Sequence, residues 1–188
     1  MTTAMGRTID EERDAARTAN RGGVAFLFVH GITWLAAAIL TFVLSVEQAA
    51  LVVLFQGLVA FPASLVLERL LGFRFIPAKD NAVVSLFVLI AMTQGLGLPG
   101  SIIVLNLNPL YLPMAFAATN GGHFLPYMWL HRTRAYAVLA VVCALGPFAV
   151  LLVAGAATAF HTTGFLVGSV MLAVAAHIWT HRLRGGAR

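Results

Sequence analysis

Charged residues are scarce in this chain: 12 Lys and Arg and 7 Asp and Glu among 188 residues, 10% in all. A soluble domain carries about 25%, so the chain has too few charges to cover a water-facing surface. Cysteine is nearly absent. Cys143 stands alone, which excludes an intramolecular disulfide, and its apolar surroundings read as a small packing position. Also missing are a phosphate-binding glycine loop, a nucleophile elbow, a catalytic carboxylate pair and any acidic residue in the middle of an apolar run.

What the chain does have is hydrophobicity. Apolar residues make up 60% and the mean hydropathy is +0.90. Most of its surface must then face lipid, where every backbone polar group needs an internal partner and only helices or closed barrels suffice. Long runs without alternation select helices, so the expected fold class is an all-α polytopic transmembrane bundle. The net charge of +5 could suggest nucleic acid, but the charges cluster at helix ends. That pattern excludes a nucleic-acid partner and instead describes a basic rim beside the anionic lipid headgroups of a bilayer.

Residues 1–21 form the one extended polar segment, and Thr8 with Glu11 reads as a capping box opening a short cytoplasmic or surface-lying helix. Its apolar positions are too small for a membrane anchor, and a signal peptide is not expected because the next apolar run has span length. Residues 22–182 read as six spans, about 22–46, 48–70, 81–98, 109–130, 135–157 and 164–180. Glu47 and Gln48 are expected in the first tight turn, and GLGLPG (95–100) is expected to open an irregular outer connection partly buried by Ile102, Ile103 and Val104. Residues 183–188 form a basic cytoplasmic tail.

Every basic residue falls on alternate connections. Arg7, Arg13, Arg17 and Arg21 precede the first run; Arg69, Arg74 and Lys79 follow the second; Arg132 and Arg134 follow the fourth; Arg182, Arg184 and Arg188 close the chain. The positive-inside rule then puts both termini in the cytoplasm of a bacterial cell. Trp129, Tyr127 and Trp179 near the inner ends and Tyr111 near the outer end fit interfacial belts.

Intramembrane histidines mark the candidate site. His30, His123 and His177 lie roughly 7–14 Å from the inner basic rim, given a 1.5 Å rise per residue, so a shared cavity in the cytoplasmic half is possible. Asn120, His123, Tyr127, His131 and Arg134 line one helical face. Gly121 and Gly122 are expected to loosen the helix beside it. Such a stripe suits a solute or proton pathway, with hydrogen bonding between neighbouring helices as the alternative. His177 and His181 share a face and, with His30, His123 and Glu68, offer imidazole and carboxylate ligands to a metal such as zinc. The glutamate of HExxH is missing, because Ile178 follows His177. Haem would need facing axial ligands such as His30 and His123, without an attachment CxxCH. Gln56 and Gln94 are expected to bond between helices, and Gly164 with Gly168 forms a small-xxx-small pair for an internal contact or a homo-oligomer.

The segment GGHFLPYMWLHRTRAYAV (121–138) resembles a stretch of small bacterial polytopic membrane proteins without a known activity. The histidines also give a likeness to the multispan zinc hydrolases of the ceramidase and adiponectin-receptor type. Those have seven spans and three zinc-binding histidines, and their accompanying serine and aspartate find no counterpart here. Three function classes follow: a small-solute or proton-linked transporter, an accessory membrane protein without transport activity, and an intramembrane metal-dependent hydrolase. An enzyme is the least favoured, because no general acid or base lies at bilayer depth.

Overall fold

The computed structural model describes residues 6–185, with side chains to His181. Residues 1–5 and 186–188, including Arg188 of the expected basic tail, lie outside that range. The described residues are helical, with no strand among them. Four stretches are long and apolar enough to cross a membrane: Arg21–Leu40, Val46–Leu70, Ala82–Leu107 and Ala135–His181. Large apolar side chains cover their outer faces, among them Phe55, Leu58, Val59, Leu89, Met92, Leu152 and Val153. An exposed apolar belt of this extent has lipid as its natural solvent.

Helix α1 (Ile9–Ala19) opens with the expected capping box between Thr8 and Glu11. The Thr8 hydrogen bonds hold the exposed Glu11 carboxyl below the usual carboxylate range. The small apolar face of α1 packs on protein, with Ala16 clustered against Val83, Phe87 and Leu130. Helix α2 (Val24–Leu40) ends at a turn over residues 41–45. There Ser45 and Gln48 form a second capping box and start α3 (Val46–Leu70). Glu47 and Gln48, expected in the turn, therefore belong to the first turn of α3, where the hydroxyl of Ser45 meets the Gln48 amide.

Helices α4 (Ala82–Leu96) and α5 (Leu98–Leu107) replace the expected irregular connection. Gly97 keeps right-handed helical angles and Pro99 falls in the first turn of α5, where a missing N–H costs nothing. Ile102 and Ile103 are exposed on this helix, against the expectation of burial. A short 3-10 turn over Pro109–Tyr111 leads into α6 (Leu112–His123), and α7 (Leu125–His131) follows after a break at Phe124. The fourth expected span is thus two short helices. Pro126 cannot donate a backbone bond to Gly122, which explains the break.

Helix α8 (Ala135–Gly185) includes one residue far from helical geometry, Gly155 at φ 81°, ψ 171°. Its 47-residue apolar portion would extend about 70 Å if straight, more than twice the ~30 Å hydrocarbon. It is not straight. A Cβ added at Gly146 would lie 2.7 Å from the Leu166 side chain, so the limbs before and after Gly155 lie side by side. The reversal takes a single glycine in a backbone region closed to other residues, and residues 158–163 are helical where a longer connection was expected.

The core joins α2, the two limbs of α8, α3 and α6 through Leu27, Trp34, Val53, Ala117, Leu139, Cys143, Val167 and Met171. Small residues set the closest approaches. Gly168 faces the Gly31 carbonyl and Leu35, and Gly164 faces Ala38 and the Trp34 carbonyl, so the small-xxx-small pair serves an internal contact. Gly121 abuts the backbone of Ala140 and Ala144, which makes it a packing residue where a loosened helix was expected.

Connections gather at two ends. At one, the Arg74 amide donates to the Ala19 carbonyl, Arg21 lies over Phe73, Arg132 pairs with Asp10, and the Tyr136 hydroxyl donates to the Gly22 carbonyl. At the other, His161 bonds Thr41 and stacks on Phe42, while Leu44, Val104 and Leu110 pack on Ala50, Leu112 and Phe160. The basic connections therefore share one end of the bundle.

Candidate functional site

Helix α6 supplies the centre of the site. Its imidazole at His123, only 8% exposed, meets Gln94 of α4. Nδ1 lies against the Asn120 carbonyl, which can only accept, so Nδ1 carries the proton. The Gln94 amide nitrogen is 2.6 Å from Nδ1 and 3.0 Å from Nε2. Since Nδ1 is already committed as a donor, Gln94 donates to Nε2 despite the longer distance. Its second N–H reaches Oδ1 of Asn120 at 2.9 Å, and the Asn120 amide donates to the Phe116 carbonyl. A neutral His123 accommodates the bonds to Asn120 and Gln94, with the Gln94 nitrogen lying within reach of both ring nitrogens.

The polar face continues across the break at Phe124. The ring of Tyr127 stands 5.6 Å from His123 and 5.9 Å from His131, and His131 stands 5.0 Å from Tyr136. Tyr127 is held edge-on by Phe87 at 4.8 Å, so it is packed within the bundle rather than set free at an interface. Arg134 leaves the expected face: α7 ends at His131 and Arg132 turns the chain with φ 51°. Trp129 keeps an exposed position and carries the Arg13 guanidinium 4.7 Å above its ring.

This ladder ends at a half-open recess of about 300 Å³ at the basic end. Arg17, His131, Arg132, Thr133, His177 and His181 line it. The exposed rings of His177 and His181 are 4.4 Å apart. His30, on α2, is stacked on Phe26 at 3.8 Å and donates from Nδ1 to the Phe26 carbonyl, and it lies within electrostatic range of His123. Glu68 is half-buried near the end of α3. Among the described residues, no three or more His, Cys, Asp or Glu side chains come together as a metal site. The five residues considered as ligands are thus not gathered into one metal site: His123 lies in the mid-bundle network with His30 in electrostatic range, His177 and His181 line the recess, and Glu68 lies near the end of α3.

Sequence reasoning missed two residues, Glu12 and His161. Glu12, 1% exposed, accepts from the Ala82 amide with its carboxylate and from the Asn81 side chain with its carbonyl, so α1 caps α4 across the fold. No local pattern announces a bond across 70 positions. His161 joins the far ends of α2 and α8 through Thr41. Gln56 departs from expectation: it is 8% exposed on the inward stripe of α3 (Ala49, Val53, Gln56, Ala60, Ser64), and neither atom of its amide has a hydrogen-bond partner. Gln94, by contrast, bonds between helices as expected.

A family model described as "Family of unknown function (DUF7010)" matches residues 9–181. No curated protein and no solved structure matches the chain.

Proposed function

The chain belongs to that family, and from this premise, which assigns no activity, we propose that it is a small-solute or proton-linked transporter of a bacterial cytoplasmic membrane. The reading has six spans: α2, α3, α4 with α5, α6 with α7, and the two limbs of α8. Both termini face the cytoplasm, because the basic end then meets the anionic leaflet.

The observation that carries it is the polar ladder from Gln94, Asn120 and His123 through Tyr127 and His131 to the recess. A proton placed on Nε2 of His123 would face an N–H of Gln94, donor against donor. Gln94 relieves this by turning its amide over, which presents Oε1 to His123 and surrenders the bond to Asn120. Protonation therefore rewrites the hydrogen bonds tying α4 to α6, which is how a titratable group couples to helix movement. The unsatisfied Gln56 amide supports the same reading, since an unpaired polar group in a bundle interior is costly and marks function more often than packing.

The test is proton and solute flux in vesicles reconstituted with purified protein. His123→Ala is expected to abolish flux that the wild type supports, and undiminished flux in that variant would remove His123 from the mechanism. An accessory role without transport is the second reading, favoured by the bonds that a neutral His123 makes to Asn120 and Gln94. It predicts no flux in the wild type and a lowered melting temperature in His123→Ala. A metal-dependent hydrolase has no gathered ligand set among the described residues to support it.

A further inference from the structure

The recess at the basic end has a composition that the transport reading does not use. Two guanidinium groups, Arg17 and Arg132, and three imidazoles, His131, His177 and His181, line it together with the Thr133 hydroxyl. They come from three places in the sequence: α1, the end of α7 with the connection after it, and the end of α8. No carboxylate is among the lining residues. Asp10 and Asp14 approach Arg132 from α1, and both ion pairs use its Nη2. A half-open space lined by guanidinium, imidazole and hydroxyl groups, with no carboxylate in its lining, has the chemistry of a phosphate site. About 300 Å³ accommodates a phosphate group with a few attached atoms.

We propose that this recess binds a phosphate group through Arg17, Arg132, His177 and His181. The group could arrive as a soluble phosphate or as the headgroup of an anionic lipid, because the recess opens where the basic end meets a membrane surface. The proposal goes beyond transport, and equilibrium binding tests it separately: His123→Ala leaves this binding intact even if transport fails.

Two measurements distinguish the sources. The first titrates inorganic phosphate into protein in neutral detergent against chloride at equal ionic strength. The second reads lipid retention by native mass spectrometry after transfer from vesicles of phosphatidylcholine with phosphatidic acid. The double variant His177→Gln/His181→Gln, at exposed positions that the fold does not rely on, is expected to weaken binding about tenfold. Arg69→Gln, a basic residue of the same end outside the recess, is expected to leave it unchanged. Loss in the phosphate arm assigns a soluble anion, and loss in the lipid arm assigns a headgroup. Absence of binding in both arms, or an equal loss in Arg69→Gln, would overturn the proposal.

Discussion

Side chains of the interior divide here into those that bond one another between helices and those, Gln56 among them, with unpartnered polar atoms. His123, Asn120 and Gln94 satisfy one another across α4 and α6, whereas the Gln56 amide is left unpaired in the inward stripe of α3. An unsatisfied buried amide costs about 1–3 kcal/mol. Gln56→Leu is therefore expected to stabilise the protein by about 1–2 kcal/mol, read from denaturant or thermal unfolding in detergent, while lowering flux in vesicles. A destabilised variant with unchanged flux would show that the amide is structural. Gln56 could be named from the sequence as a polar residue in an apolar run, but its lack of a partner could not, because partners come from other helices.

At the level of elements, two connections decide how the helices are arranged. The capping boxes at Thr8 and Ser45 are local, so hydroxyl and amide or carboxylate at a three-residue spacing foretell them. The reversal at Gly155 is the opposite case. Nothing distinguishes this glycine locally from its neighbours in an apolar run, and its φ of 81° follows only from the two limbs packing on α2, α6 and each other. Gly155→Ala would meet no atom within 4 Å, yet it is expected to cost about 1–3 kcal/mol through backbone strain alone. Unfolding of the variant checks this, and an unchanged stability would show that the turn relaxes to ordinary angles.

For the whole molecule, charge asymmetry is the governing feature. Arg13, Arg17, Arg21, Arg74 and Arg132 meet at one end through α1, whose buried Glu12 locks it onto the start of α4. With Cys143 replaced by Ser, single cysteines report the orientation. Arg74→Cys is expected to resist a membrane-impermeant thiol reagent in intact cells, and Ser45→Cys, at the opposite end, to react. Reversed labelling would invert the proposed topology, and labelling of both would break the six-span reading.

The sequence by itself determined that this chain is helical, that its long helices are apolar enough to cross a membrane, and that its basic connections belong together. Those properties follow from composition and the length of apolar runs, each a sum over many residues that no single contact can overturn. It also marked His123, Asn120 and Tyr127 as neighbours, because the three- and four-residue spacing survives the break at Phe124. Tertiary structure alone decided that Gln94 closes onto His123, that α1 caps α4, that Gly164 and Gly168 face α2, and that His177 lines one recess with His131 and Arg132. Each of these is a pairing between distant segments. The energy of such a pairing depends on how the helices are rotated against one another, and that rotation is set by small residues at the crossings, which carry no polar signal of their own.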